Sequence, residues 1–253
     1  MEYARLSETV KIKKISETEN EGLFEIEGLY TGFGLTVGNA LRRVLLSSIP
    51  GAAITQVKIK NVKHEFSTID GVLEDVVEIV LNLKKVRFKF FADEPQILLL
   101  EAKGEKEVKA GDIKTNAQVE VVNPDLRIAT LTSKKAELIM EITVEKGLGY
   151  VPVETRKSEK LSVGVIAIDA IFTPVTKVNF VIENMRVGEK TDYNRLKLTV
   201  ETDGTISPSA VLHKSANILK DHFERISSIE VKAEETKIEE KPVKKETKKK
   251  KTK

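Results

Sequence analysis

Three glycines in seven residues, Gly32-Phe-Gly-Leu-Thr-Val-Gly38, are the first feature with a chemical reading, because closely spaced glycines let backbone N–H groups approach a phosphate. The dinucleotide-binding pattern places its third glycine three positions after the second, whereas Gly38 follows Gly34 by four. No Lys-Ser or Lys-Thr pair completes a P-loop, and Arg42-Arg43 stand a full turn inside the helix that follows. Gly32 and Gly34 are therefore read as backbone freedom where a strand turns into a helix. A two-metal phosphoryl-transfer centre needs clustered carboxylates. Here the closest aspartates are Asp70 and Asp75, and there is no Asp-x-Asp. The chain has no cysteine and three histidines, His64, His213 and His222. That leaves no disulfide framework and no thiolate site, and argues against structural zinc. His64-Glu65 are adjacent rather than at helical ligand spacing, and His213 and His222, nine apart, face different ways on a helix. No Gly-x-Ser-x-Gly nucleophile elbow occurs. No cofactor, metal or catalytic residue is expected.

Recognition chemistry is better represented. Wound at roughly 100° per residue, a helix over about Thr36–Ser48, with Thr36 as N-cap and Pro50-Gly51 as its stop, puts Val37, Ala40, Leu41, Val44 and Leu45 on one side. Asn39, Arg42, Arg43 and Leu46 fall on the other. A leucine among two arginines and an asparagine fits a partner-binding face, with Leu46 as apolar anchor and Arg43 as oriented donor. A stray exposed leucine is the plain alternative. A second helix is expected over about Ile69–Leu83, with Ser67 or Thr68 near its start. A third is expected over about Pro208–Ile229, with Ser207 as N-cap and Pro208 at the first helical position. The third carries Leu212, Ala216, Leu219, Phe223 and Ile226 at heptad-like spacing, flanked by Val211, Ser215, Ile218 and His222. That seam fits packing on the chain's own sheet and pairing with a second helix equally well.

The elements that must position these helices are mostly strands. Phe24 and Ile26 alternate with Glu25 and Glu27; Val57 and Ile59 with Lys58 and Lys60; Val86, Phe88 and Phe90 with Arg87 and Lys89. Leu138, Met140, Ile142 and Val144 share one face, and Leu196, Leu198 and Val200 alternate with charged and polar residues. Period two means sheets with one dry and one wet face, which favours antiparallel pairing. Residues 163–172 are more continuously apolar, as in a strand covered on both faces. With 253 residues, one or two domains are expected, and two is reasonable. No apolar run approaches the ~18 residues of a membrane span, and the first residues lack a signal-peptide layout. A soluble, cytoplasmic protein with no membrane partner is expected.

Charge is uneven. Of 42 basic and 39 acidic residues, residues 231–253 hold ten lysines and five glutamates, which leaves the body at about −2. The body therefore has no strong electrostatic footprint for nucleic acid. The lysine-rich stretch has too few apolar residues to fold, and reads as a disordered end that solubilises the chain or makes loose, salt-sensitive contact with DNA or RNA.

The segment from Gly32 through Asn39-Ala-Leu-Arg-Arg-Val-Leu-Leu-Ser-Ser-Ile-Pro-Gly51 closely resembles the signature of the bacterial RNA polymerase α-subunit family. Four further blocks resemble that family in order. They are His64-Glu-Phe-Ser-Thr-Ile-Asp-Gly-Val-Leu-Glu-Asp75 with Leu81-Asn-Leu-Lys84, then Lys146-Gly-Leu-Gly-Tyr-Val-Pro152, then Ile168-Asp-Ala-Ile-Phe-Thr-Pro-Val175, and last Arg186-Val-Gly-Glu-Lys-Thr-Asp192 followed by Leu196 to Pro208. The resemblance covers roughly residues 1–230 and implies an α+β fold of mainly antiparallel sheets with a helical dimerisation layer. Residues 1–51 and 172–230 would form a discontinuous dimerisation domain, and 52–171 an inserted, mostly β domain.

The implied role is a homodimeric, non-catalytic scaffold that nucleates assembly of the β and β′ subunits for DNA-templated transcription. The family's β-contacting positions match Arg43 and Leu46, with Asn39 and Arg42 on the same face. Its β′-contacting positions match Lys84 and Ile168. By default, Lys84 would only compensate a helix dipole and Ile168 would be core. Dimerisation implies contact through 36–49 and 208–229, with Leu212, Ala216, Leu219, Phe223 and Ile226 at the homodimer interface. Two departures are visible. Residues 231–253 stand where relatives continue into a domain that reads promoter DNA, so such contacts are expected to be absent, with DNA touched only weakly by 231–253. The loop Val153–Leu161 lacks the acidic cluster that some members use for activators. The rival reading is a stand-alone nucleic-acid-binding module working through the basic end.

Overall fold

The structure, a computed structural model, describes residues 6–156 and 164–229. The lysine-rich stretch 231–253 and most of the loop after Pro152 lie outside the described residues. From the amino end, β1 (Lys11–Glu17) and β2 (Glu21–Leu29) lead into α1 (Phe33–Ser47), β3 (Pro50–Ile59), α2 (Val76–Leu83) and β4 (Phe88–Phe90). Next come β5 (Gln96–Lys103), β6 (Lys106–Lys109), a 3₁₀ turn at Ala110–Asp112, β7 (Ile113–Lys114), β8 (Val119–Val121), β9 (Arg127–Leu131) and β10 (Glu137–Leu148). β11 (Tyr150–Val151), α3 (Val153–Arg156), β12 (Val165–Ala167) and β13 (Ala170–Ile171) precede the long hairpin of β14 (Val175–Val187) and β15 (Lys190–Thr202), and then α4 (Pro208–Ser227).

The architecture is α+β, and the named strands pair antiparallel. One sheet runs β1-β2-β15-β14, and a second runs β12-β3-β10-β5-β7. The alternation seen in the sequence sets the faces. Phe24 and Ile26 of β2 and Leu196, Leu198 and Val200 of β15 are buried against Leu41, Leu45 and Ile49. On the opposite face of that sheet, Arg195 meets Glu27 at 3.1 Å and Lys197 meets Glu183 at 2.7 Å, so the wet side is held by cross-strand ion pairs. A separate core gathers Val57 and Ile59, Ile79 and Leu83, Leu98 and Leu100, and Met140, Ile142 and Val144.

Between the two cores, Ala53, Ala170 and Phe172 make a small cluster of their own. Gly51 and Gly147 are cross-strand partners there. A Cβ at Gly51 would lie 1.9 Å from the Phe172 carbonyl oxygen, and one at Gly147 would lie 2.6 Å from the Phe172 ring. Only glycine lets Phe172 close over this pair.

Several boundaries differ from expectation. α1 begins at Phe33 with Gly32, not Thr36, in the cap position, where Gly32 adopts φ of 85°. α2 begins seven residues late. Gly71 turns the chain at positive φ, Val72 bridges to Leu131, and Asp75 caps the helix by accepting from the Glu78 N–H at 2.7 Å. The stretch expected as one covered strand breaks into β12 and β13, because Asp169 between them is held by polar partners. Ser207 is at the cap position of α4, but its side chain makes no cap hydrogen bond.

Candidate functional site

Among the described residues no group of three His, Asp or Glu side chains is placed to hold a metal ion. Where ionisation is displaced, carboxylates are pushed down and lysines up, as in Glu137 beside Lys103 and Lys177 beside Glu201. Those shifts favour the charged forms, which is the signature of ion pairs and not of an acid and a base tuned apart. Three exposed surfaces carry the residues that the sequence singles out.

The first is the outer side of α1. Leu41 and Leu45 are buried in the core, while Asn39, Arg42 and Arg43 are exposed and Leu46 keeps 36% of its surface. The wheel count therefore placed these four residues on the correct side. Arg43 and Leu46, three apart, are neighbours on the helix surface. Neither Arg42 nor Arg43 has a carboxylate within 4 Å among the described residues, so both guanidinium groups face solvent unpaired. Phe33 and Leu35, near the start of the same helix, are also exposed.

The second lies where α2 ends. Lys84 Nζ sits 2.9 Å from Asp169 Oδ2, and the Val153 N–H donates to Asp169 Oδ1 at 3.0 Å. The Lys84 ammonium, and then that N–H, hold the Asp169 carboxyl below the usual carboxylate range. Beside them is a groove of about 220 Å³ lined by Phe66, Val77, Val80 and Val153 among others. Ile168 lines it too but is 1% exposed and belongs to the core, so its side chain is not a free surface group. It belongs to the core cluster that also holds Ile79, Leu83 and Ile166. Sequence reading missed Phe66 and Leu81, which are strongly exposed near this groove and along α2. A phenylalanine and a leucine inside polar or helical stretches carry no signal that separates core from surface.

The third is α4. Val211 and Ser215 are fully buried, and Leu212, Ile218 and Leu219 are half-buried against the core. Members of both strips thus seal the helix to its own sheet, while Ala216 of the seam and His222 of the flanking strip are exposed. From Lys220 onward every described residue is exposed, with Phe223 at 61% and Ile226 at 60%. No helix of the described residues is long and apolar enough to cross a membrane.

Comparison with known proteins agrees with this arrangement. Residues 57–173 match the family described as the RNA polymerase Rpb3/RpoA insert domain. The chain is 52% identical over 221 residues to the DNA-directed RNA polymerase subunit alpha of Symbiobacterium thermophilum, covering 87% of this chain and 70% of that protein. It is 46% identical over 237 residues to the subunit of the same name from Desulfitobacterium hafniense strain DCB-2, covering 90% and 75%. The corresponding subunit of Roseiflexus castenholzii is 51% identical over 217 residues, covering 86% and 67%. With this likeness over most of its length, the chain belongs to the family of DNA-directed RNA polymerase α subunits.

Proposed function

We propose that this α subunit is a homodimeric scaffold, without catalytic residues of its own, on which the β and β′ subunits of a cytoplasmic RNA polymerase assemble. Residues 1–51 with 172–230 form the dimerisation unit, and 52–171 form the inserted unit; the two separate cores support that division. The β subunit docks on the α1 face through Arg43 and Leu46, flanked by Asn39 and Arg42. The β′ subunit docks at the α2 groove, with Lys84 at its rim and Ile168 as buried support. Phe223 and Ile226, with Ala216 and the exposed edges of Leu212 and Leu219, pair with a second copy. A two-fold dimer offers each docking face twice, and two unlike large subunits each take one copy.

The observation that carries this reading is the α1 face, an apolar anchor beside two guanidinium groups that have no carboxylate partner among the described residues, on the outward side of a helix whose inner side is sealed. Arg43→Ala in the full chain tests it. The variant is expected to remain dimeric by light scattering and to lose co-purification of the β subunit. Undiminished recovery of β would refute the assignment.

A further inference from the structure

A recess of about 390 Å³ opens where β4 and the end of β10 meet the segment leading into α4. Three lysines from three different elements line it, Lys89 of β4, Lys146 of β10 and Lys214 of α4, and no carboxylate does. Their present ion pairs are loose. Lys89 reaches Glu120 at 3.4 Å and Lys146 reaches Asp93 at 3.5 Å, and those carboxylates are 60% and 96% exposed. Lys214 makes no ion pair among the described residues. Several lysines elsewhere are held closer, as Lys84, Lys103 and Lys177 are at 2.9, 2.8 and 2.8 Å. Exposed pairs of the first kind contribute little and yield readily to a stronger anion. The nearest acidic side chain of the α4 approach, Asp203, is already taken up by Arg87 at 3.3 Å and by the N–H and hydroxyl of Thr205.

The rest of the lining includes three aromatic side chains, Phe88, Phe90 and Phe91. Phe90 is half-buried and Phe91 is 69% exposed. A pocket at the meeting of two cores, within the usual size range for small ligands, with ammonium groups around an aromatic wall, suits a molecule that joins negative charge to a flat ring. We propose that this recess binds a nucleoside polyphosphate, with its phosphates on Lys89, Lys146 and Lys214 and its base against Phe90 and Phe91. The site is separate from the Gly32–Gly38 segment and from the α1 and α2 faces, and it meets α4 only at Lys214.

Calorimetric titration of the full chain with adenosine triphosphate and with inorganic tripolyphosphate tests this. One nucleotide per chain is expected, bound about tenfold more tightly than tripolyphosphate, since a stacked base adds affinity that bare phosphate lacks. The double variant Lys89→Ala with Lys146→Ala is expected to weaken both ligands about tenfold or more, as charge-assisted contacts are lost. Phe91→Ala is expected to weaken the nucleotide alone and close the gap between the two. Equal binding of both ligands, untouched by either variant, overturns the proposal and points to contact through the lysine-rich residues 231–253. A glutamate-rich peptide that binds more tightly than the nucleotide and displaces it overturns it in favour of a protein segment. Neither variant touches α1, so co-purification of β stays intact whatever the titration shows.

Discussion

Asn194 of β15 closes the start of α1 from outside the helix, its Oδ1 accepting from the Gly32 N–H at 2.9 Å and the Gly34 N–H at 3.3 Å. The helix has no side-chain cap of its own, so this buried amide does what an N-cap residue does in an ordinary helix. Asn194→Ala is expected to cost about 1–2 kcal/mol, the usual loss for a removed cap. Asn194→Asp keeps an acceptor at a helix N-terminus, where negative charge is favoured, and is expected to retain most of the stability. Urea unfolding of the two variants checks this; equal losses would mean that the amide acts only through packing.

The start of α4 is tied down in a similar way. Glu17 of β1 accepts from the N–H of Ser209 at 2.8 Å and from its hydroxyl, at the first turn of α4. The Lys14 ammonium, then the Ser209 hydroxyl and N–H, hold the Glu17 carboxyl down to about 2 from its ordinary 4.5. A carboxyl depressed on folding stabilises the native state above its unfolded value and ceases to do so as pH falls through its folded one. The tie is therefore complete above pH 4.5 and lost between 4.5 and about 2. Glu17→Gln is expected to lower stability above that window, with the difference from the parent shrinking as the pH falls across it. Acid limbs that run parallel in urea titrations at stepped pH would show that Glu17 is not the group responsible.

How far the sequence could be read follows from which interactions are local. The outward side of α1 was legible because a 3.6-residue period sorts Leu41 and Leu45 from Arg43 and Leu46 with no knowledge of the partner sheet. The start of the same helix was not, because its cap arrives from 162 residues away. Val72 and Leu73 read as helix because apolar residues are silent about their partner, and Val72 spends itself on a bridge to Leu131. Ile168 shows the limit of carrying a role over by position, since that position is 1% exposed here. In α4 the heptad spacing runs unbroken, and nothing in it marks Leu219 as the last residue over the sheet.

The spacing of Gly34 and Gly38, which first suggested phosphate binding, has a packing cause. A Cβ on Gly38 would lie 2.9 Å from the Phe180 ring and 3.1 Å from Leu196, and one on Gly34 would lie 3.1 Å from Ile182. The two glycines let α1 lie close on β14 and β15. Alanine gains about 1 kcal/mol over glycine in a helix interior, but overpacking costs about 1–3 kcal/mol. Gly38→Ala is therefore expected to be neutral at best and typically destabilising, and Phe180→Leu is expected to restore what is lost. A thermal unfolding cycle over the two single variants and the double measures the coupling, and additive effects would remove the close-approach account.

In the proposed dimer, the two halves of α4 have different jobs. Val211, Ser215 and Leu219 hold the helix to its own core, so Leu219→Ala is expected to weaken the folded chain itself. Phe223 and Ile226, three apart and both more than half exposed, touch little of their own chain. Burying two such side chains is worth about 3–6 kcal/mol, which is a factor of more than about 100 in a dissociation constant. Phe223→Glu with Ile226→Glu is expected to shift the dimer to monomer by sedimentation equilibrium. Helical circular dichroism should stay as in the parent, and monomer stability should change by no more than about 0.5 kcal/mol, as for ordinary surface sites. A dimer that survives both charges would place the two-fold contact elsewhere, and the β subunit would then have to be recruited to a pair of chains held together by some face other than α4.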